Sequence, residues 1–387
     1  MTKTILLFLS LCGLIAVFPL SAAGETIKIG ALYNLTGDMA PIDGPALKGV
    51  RLKAKLLNQA GGLLSGRMLE VVSVDTRTDL QAASLASRDL LSRGVAAGVG
   101  YGDTDYVLAA APAFQERGLP FVTSGATLPD LPRRVGHCLF MAAFGDDDQA
   151  AALAAFSYDR LKARNALIWT DRSMDFAKAL ATFFRQAFSQ AGGKILQEEF
   201  FSSTQDFPAL AAKFLASRLP ADLIFIAAGP EAAALAVKRL REAGITVPIA
   251  GGDSFDSDAL ISVPGTKLAQ GLYFATHSFR GETRPEVRSF IEAYRKEYGH
   301  PPENAFAALG FDAMGMIADA IRRAGTTAPA SLCRALAQTK SYNGVTGSIS
   351  YTRVSRAPAK PVAIIGVQEG RFQPLWSWPQ KEGRNEP

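Results

Sequence analysis

Short apolar runs alternate along the chain with longer segments in which apolar residues recur every three or four positions. The first run begins at Ile27 and ends in a polar, glycine-containing loop that reaches Asp38. A helix is predicted to begin near Pro45, and its apolar face stops before Gly61 and Gly62. This alternation is typical of βαβ units and a mainly parallel sheet.

The same pattern continues over most of the chain. Within the first third, it predicts strands over 68–74, 95–99 and 121–123 and helices over 79–92 and 104–117. A second cycle starts after the acidic cluster 146–148, which can cap the helix that follows. It contains predicted strands over 166–170, 195–200, 223–227 and 248–251 and predicted helices over 173–191, 208–216 and 231–243. Two more helices are predicted over 285–298 and 304–324, and the strands predicted near them are too few for a third domain.

These elements predict an α/β fold of two lobes, each a doubly wound parallel sheet, joined by a hinge of several connecting strands. We assign residues 24–143 and 277–352 to the first lobe. Residues 144–276 and 353–387 are assigned to the second lobe. Because ligands of such sheets bind at the carboxyl ends of the strands, we expect a cleft between the lobes to form the site.

The amino terminus has the pattern of an export signal. Lys3 precedes an apolar run over 5–20, and small residues follow at 21–23. We therefore interpret residues 1–23 as a secretory signal cleaved near Ala23. From 30 to 379 no apolar run approaches the roughly 20 residues of a membrane-spanning helix.

Charge and cysteine content narrow the possible partners. The formal net charge is +5, but the basic residues are scattered at helix ends, so we expect no binding to nucleic acid. After the signal only Cys138 and Cys333 remain, too few for a disulfide scaffold or a metal site. They could form one disulfide, although two buried free thiols is the interpretation we favour.

No enzyme motif is apparent. The glycine-rich segment 98–102 lacks the spacing of a dinucleotide-binding loop. His137, His277 and His300 are far apart, and no Gly-x-Ser-x-Gly motif accompanies them. We expect a protein without catalytic activity, cofactor or metal.

An ordered set of short segments resembles a known family. It comprises Ile29-Gly30-Ala31 through Thr36-Gly37, the stretch 58–62 ending in the double glycine, and the stretch 118–127. Together they resemble the type I periplasmic substrate-binding proteins of branched-chain amino acid ABC transporters, the leucine/isoleucine/valine-binding group. The likeness runs along nearly the whole chain after the signal.

The resemblance implies a function. A protein of this kind would capture a small polar metabolite, an amino acid or a related amine or carboxylate, in the cleft between its lobes. It would work in the periplasm as a monomer and deliver its ligand to an ABC permease in the inner membrane. A periplasmic ligand sensor of the same fold, controlling a membrane partner, is the alternative.

The resemblance also implies ligand-binding residues. Ala126 and Thr127 match a pair that holds the ligand's carboxylate and amine at a strand end, although Thr127 could instead cap a helix. Asp253 matches a carboxylate of the second lobe that pairs with the ligand's ammonium group. A buried carboxylate without such a partner would cost several kcal/mol, which agrees with this role.

Other candidates lie where the chain departs from the family. The family's serine-rich loop is replaced by 101–106, which contributes Tyr101, Thr104 and Asp105, and the second lobe contributes Asp175 and Phe255. One hypothesis is a ligand with more positive charge, attracted by carboxylates and aromatic faces. Its residues would be Asp103, Asp105, Asp175, Asp253, Tyr101, Phe176 and Phe255. The alternative is that Asp103 or Asp105 and Asp175 only cap helices.

Overall fold

The computed structural model describes residues 26–279 and 281–378, so the predicted signal lies outside the described residues. The first lobe is built on a parallel five-stranded sheet with the order β2-β1-β3-β4-β5. Its strands are β1 (Ile27–Tyr33), β2 (Leu69–Asp75), β3 (Ala97–Gly100), β4 (Phe121–Thr123) and β5 (Leu139–Met141). The helices between them are α1 (Ala40–Gln59), α2 (Leu80–Ser92), α3 (Thr104–Glu116) and α4 (Leu131–Val135).

The second lobe is built on a seven-stranded sheet with the order β14-β13-β10-β9-β8-β6-β7. Its parallel strands are β6 (Asn165–Asp171), β7 (Lys194–Phe201), β8 (Leu223–Ala227), β9 (Ile249–Gly251) and β10 (Leu272–Thr276). Its helices are α5 (Asp146–Asp159), α6 (Asp175–Gln190), α7 (Phe207–Ser217), α8 (Pro230–Glu242) and α9 (Ala259–Ser262), with 3-10 turns at Thr204–Asp206 and Asp253–Phe255.

The chain then returns to the first lobe and afterwards crosses once more to the second lobe. The returning elements are α10 (Pro285–Tyr298), α11 (Ala305–Ala324), α12 (Pro329–Ala337) and a small hairpin of β11 (Tyr342–Gly344) and β12 (Gly347–Ile349). The antiparallel strands β13 (Val362–Gln368) and β14 (Arg371–Trp378) complete the second sheet. The predicted fold class of two doubly wound α/β lobes is therefore confirmed.

The central strands are apolar on both faces because helices cover both faces. All five residues of β8 are buried, and β6 is buried from Ala166 onward. Phe225 packs with the α5–α6 side of the sheet, whereas its neighbour Ile226 packs with the α8 side. Such continuous runs are what a parallel sheet requires, which is why the strands can be recognised in the sequence.

Three connections between the lobes lie side by side. The Phe144 ring, after β5, stacks on the His277 ring, after β10, with centroids 3.7 Å apart. In the third connection, Lys360 donates to the Ala142 carbonyl at 2.6 Å and to the Thr346 hydroxyl at 2.7 Å. Burial lowers the pKa of Lys360 to about 7, and the Asp312 carboxylate opposes this shift. The connections are thus packed and hydrogen-bonded to one another.

The predicted start of the first helix near Pro45 is wrong. α1 begins at Ala40, and Pro45 lies inside it. Proline has no N–H, so the Pro41 carbonyl one turn earlier lacks its usual helical donor. The Asn304 side-chain amide donates to that carbonyl at 2.9 Å, which supplies the missing hydrogen bond from the neighbouring helix.

Two further expectations are also wrong. The acidic cluster 146–148 does not occupy the cap position of α5: Gly145 lies there, and the three aspartates form the first helical turn. In that position, acidic side chains interact favourably with the positive end of the helix dipole. Cys138 and Cys333 are not free thiols but form a disulfide, with Cα atoms 5.2 Å apart. The return of α12 to the first lobe brings them together across 195 positions of sequence.

Among the described residues, no helix combines the length and the apolar character needed to cross a membrane. The same part of the chain contains no cluster of three or more His, Cys, Asp or Glu side chains arranged to hold a metal ion.

Candidate ligand-binding site between the lobes

The loops that follow the carboxyl ends of strands in both lobes meet at a small cavity. From the first lobe it is lined by Met39, Ile42, Gly102, Asp103 and Phe306. From the second lobe it is lined by Met174, Phe176, Gly229, Pro230, Asp253 and Ser254. The volume is about 10 Å³, room for about one water molecule. The lobes are therefore closed on each other, and ligand entry requires them to separate.

Close contact across the cavity shows the same closure. A Cβ atom added at Gly229 of the second lobe would lie 2.9 Å from Cε of Met39 in the first. That is shorter than real Cβ contacts, so a larger residue at position 229 would require the flexible end of the Met39 side chain to move. Glycine at this position is thus part of the fit between the lobes.

Asp43 and the Tyr101 carbonyl hold the first-lobe loops in place. The buried Asp43 carboxylate accepts from the Asn34 amide at 2.8 Å and from the Gly102 amide at 2.7 Å. Burial raises the pKa of Asp43 to about 7. Tyr101 has a φ of 55°, and its carbonyl accepts from both the Thr123 hydroxyl and the Gly125 amide at 3.0 Å. This backbone conformation is sparsely populated and typical of functional loops.

A set of buried, hydrogen-bonded side chains around Asp253 continues the site into the second lobe. The Asp253 amide donates to Gln149 Oε1 at 3.0 Å, and Asp253 Oδ1 accepts from Gln149 Nε2 at 3.3 Å. The same Nε2 donates to Asp146 at 2.7 Å. On the other side, His277 Nε2 lies 2.9 Å from Asp253 Oδ2. Asp253 is therefore fixed at the cavity wall from two directions.

The protonation of this group follows from its burial. Burial lowers the pKa of His277, and the Asp253 carboxylate opposes the shift. A neutral imidazole next to a carboxylate donates through Nε2, and Nδ1 then has no partner. Burial raises the pKa of Asp146 well above its ordinary value, and repulsion from Asp253 adds to this, while hydrogen bonds from Thr127 and Gln149 lower it.

A larger cavity, of about 480 Å³, lies elsewhere between the lobes. Phe274, Phe290 and Phe372 contribute to its walls, and it does not include the loops after β1, β3 and β4. Asp256, one of three carboxylates in its walls with Asp258 and Glu303, accepts from the Thr276 hydroxyl at 2.6 Å and from the Ala305 amide at 3.0 Å. The smaller cavity, where the strand-end loops of both lobes converge, is therefore the candidate ligand site.

Known proteins match this arrangement over most of the chain. The sequence profile described as periplasmic binding protein matches residues 26–371. This chain belongs to the periplasmic binding protein family. Its predicted resemblance to the type I, leucine/isoleucine/valine-binding group is confirmed by both sequences and structures.

Three similar proteins illustrate the match. The Leu/Ile/Val-binding protein homolog 3 of Brucella melitensis is 25% identical over 356 residues, covering 91% of this chain and 94% of the relative. The leucine-binding protein LivK from Thermotoga maritima is 29% identical with a TM-score of 0.84, over 91% of this chain and 98% of that one. LivJ from Streptococcus pneumoniae, solved in complex with isoleucine, is 28% identical with a TM-score of 0.83, over 90% and 98%.

In this periplasmic binding protein, Ala126 and Thr127 lie beside the cavity rather than in its wall. Both are buried, and the Ala126 amide donates to the Thr123 hydroxyl at 3.2 Å. The Thr127 carbonyl accepts from the Asp146 amide of the other lobe at 2.7 Å. Thr127 is not the cap of a helix, and in the closed protein its polar groups contact the second lobe.

Asp105 and Asp175 join the lobes near the edge of the cleft. The Asp175 amide donates to Asp105 Oδ2 at 3.2 Å, and Arg134 of the first lobe lies 3.4 Å from the Asp175 carboxylate. Lys178 also pairs with Asp175, at 2.6 Å. Both carboxylates thus have partners in the closed protein, and neither lines the cavity.

Tyr101, Thr104 and Phe255 are also placed behind the cavity. The Tyr101 hydroxyl donates to the Thr76 hydroxyl at 3.3 Å, and the Thr104 side chain is fully buried. Phe255 packs in the core of the second lobe with residues such as Leu260. Of the eight residues predicted for the site, only Asp253 lines the cavity directly.

Several residues of the cavity cannot be identified from the sequence. Met39, Met174 and Phe306 are ordinary apolar residues in loops or at a helix start, and long-range folding alone brings them together. His277 and Gln149 hold Asp253 from positions 24 and 104 residues away. Asp253 is predicted through the family resemblance, and Asp103 and Phe176 only in the hypothesis of a more positively charged ligand; all three line the cavity.

Proposed function

We propose that this protein is an exported solute-binding protein that captures a small polar metabolite between its lobes and delivers it to an ABC permease. One observation carries the proposal: carboxylates from opposite lobes, Asp103 and Asp253, line a single cavity formed by strand-end loops of both lobes. The relatives named for leucine, isoleucine and valine support a ligand of amino acid size.

Capture would work through closure. A ligand held by both lobes makes its full set of contacts only when the lobes are shut, so binding shifts the open–closed equilibrium toward the closed state. The three connections between the lobes would serve as the hinge, with first-lobe segments 24–143 and 277–352 moving against 144–276 and 353–387. The protein would act as a monomer in the periplasm.

A thermal-shift screen tests the proposal. The library would contain amino acids, amines, carboxylates and aromatic acids. A ligand at about 100 times its dissociation constant should stabilise the folded protein by roughly 2.7 kcal/mol. If no member raises the melting temperature, the proposed capture of a small metabolite is contradicted. Genes for a permease and an ATPase beside this one would support delivery, whereas a histidine kinase gene there would favour the sensor.

Asp253→Asn should weaken binding of the best ligand from this screen by about 100-fold, because the buried charge of the ligand loses the carboxylate that pairs with it. The variant should fold, since the asparagine keeps one acceptor oxygen and His277 can adopt its other tautomer. Isothermal titration calorimetry measures the affinity. Asp258→Asn is the matched control, because Asp258 is exposed in the same loop and does not line the cavity. Equal affinity of Asp253→Asn and wild type would refute the role of Asp253.

A further inference from the structure

His277 lies where the hinge meets both walls of the cavity. It follows β10, at the start of the connection that leads from the second lobe to α10 of the first. Its ring stacks on the ring of Phe144 in a neighbouring connection, with centroids 3.7 Å apart and an angle of 27° between the planes. Phe306 of the first lobe, which lines the cavity, makes a T-shaped contact with the same ring at 6.4 Å between centroids. Aromatic rings therefore hold the imidazole on two sides.

The imidazole makes its hydrogen bond to Asp253. Nε2 lies 2.9 Å from Oδ2 of the aspartate, and the two side chains are 0% and 4% exposed. Nδ1 has no hydrogen-bond partner among the described residues. A carboxylate oxygen only accepts, so the proton of this bond is on Nε2. The described polar contacts of the His277 ring thus go to a carboxylate at the cavity wall.

This hydrogen bond leaves the carboxylate able to bind a ligand. Asp253 Oδ1 accepts from Gln149 Nε2 at 3.3 Å, and Oδ2 accepts from His277. A carboxylate oxygen has two acceptor positions, so one described donor on each oxygen leaves a second position for a ligand group. In the closed protein, burial lowers the pKa of His277, while Asp253 opposes the shift. Two neutral donors therefore fix the rotation of the carboxylate without neutralising its charge.

We propose that His277 is a positioning residue for ligand binding, which holds the Asp253 carboxylate in its binding orientation through Nε2–H and links that orientation to the hinge. The link is the stack on Phe144 and the contact with Phe306, since the first belongs to the hinge and the second to the opposite lobe. His277 does not line the cavity, so it acts through Asp253. This inference rests on the proposed function, in which Asp253 binds the ligand. Precise orientation of a binding group requires such support from residues behind it.

Calorimetric titrations of two variants separate the hydrogen bond from the packing of the ring. The probe is leucine or, if another member of the thermal-shift library binds the wild-type protein more tightly, that compound. His277→Phe keeps a ring against Phe144 but removes the donor, and it should weaken binding by about 10-fold or more. His277→Gln loses the ring but has an amide N–H that can donate to Asp253, so it should bind the probe more tightly than His277→Phe. A role in packing alone would reverse that order.

Double-mutant cycles test whether His277 acts through Asp253. In the Asp253→Asn background, His277→Phe should weaken binding by less than about 2-fold, because the carboxylate that it positions has been replaced. Phe144→Leu removes the stacked ring without changing the cavity wall, and it should weaken binding to the otherwise wild-type protein by about 3-fold. This effect should also disappear in the Asp253→Asn background.

Nuclear magnetic resonance gives a measurement that needs no His277 variant to fold. The chain has three histidines, and of these only His277 is buried. Proton–nitrogen spectra of the probe-saturated protein should therefore show one imidazole N–H that exchanges slowly with water. Its signal should be lost in Asp253→Asn, where the ring can adopt its other tautomer. A wild-type protein without such a signal would contradict the hydrogen bond.

His300→Phe is the matched control. The His300 side chain is 44% exposed and lies outside the cavity, so the same substitution there should leave the affinity unchanged. If His277→Phe binds the probe as tightly as wild type, or weakens binding equally with and without Asp253→Asn, the positioning role is overturned and the proposed function stands. If no member of the library binds the wild-type protein, the proposed function is overturned together with this inference.

Discussion

Replacing Cys138 and Cys333 together by alanine is expected to lower the free energy of unfolding by about 4 kcal/mol. The disulfide closes a loop across 195 positions, from the residue before β5 to helix α12. In the chain-entropy account a loop of that length corresponds to about 5 kcal/mol, and measured losses for native disulfides span about 2–5 kcal/mol. Both sulfurs belong to residues that are nearly fully buried, so the bond also ties the returning segment to the first sheet.

Urea unfolding followed by circular dichroism measures this effect. Wild-type protein should lose a similar amount of stability when a reducing agent is present during unfolding. The double alanine variant is its own control, because its unfolding curve should not respond to the reductant. Wild-type and variant curves that coincide under oxidising conditions would show that the disulfide contributes nothing.

Gly49→Ala is expected to cost about 3 kcal/mol of stability, because helices α1 and α11 cross with their backbones in contact. A Cβ at Gly49 would lie 1.9 Å from the Ala307 carbonyl oxygen, and a Cβ at Gly310 would lie 2.0 Å from that of Ala46. Each glycine thus accommodates the backbone of the other helix. A methyl group at either position forces the helices apart and disrupts the core of the first lobe.

The direction of the stability change in Gly49→Ala distinguishes the effect of helix packing from the effect of helix propensity. Propensity alone would make alanine in a helix interior more stable than glycine by about 1 kcal/mol, the opposite of what we expect. Gln59→Ala, at an exposed position of the same helix, is the control and should change stability by less than about 0.5 kcal/mol. A Gly49→Ala protein as stable as wild type would contradict the close crossing of the two helices.

Much of the fold could be predicted because its central strands are buried on both faces. The runs around β6 and β8 are continuously apolar, and amphipathic segments separate them, so both the elements and the parallel sheets follow from the pattern. The hairpin of β13 and β14 is not among the predicted strands. Its turn at Glu369 and Gly370, both with positive φ, is a two-residue hairpin signal, but β14 is a half-exposed edge strand with a weak apolar pattern.

The site was less predictable than the fold, for a physical reason. Asp253 could be found only through the resemblance to the family, because an aspartate after a short strand and two glycines is by itself equally typical of a turn or a helix cap. Tyr101, Thr104 and Phe255 lie in or next to the loops around the cavity, but their side chains are buried, and local sequence does not encode that direction. His277 reaches Asp253 only because β9 and β10 are adjacent in the folded sheet.

Small-angle X-ray scattering with and without the ligand from the thermal-shift screen tests most directly the claim that this protein captures its ligand by closing. At a ligand concentration that saturates the site by calorimetry, we predict a smaller radius of gyration than in the free protein. The ligand-bound curve should match the closed arrangement in which Met39 meets Gly229. Scattering curves that coincide with and without bound ligand would contradict capture by closure.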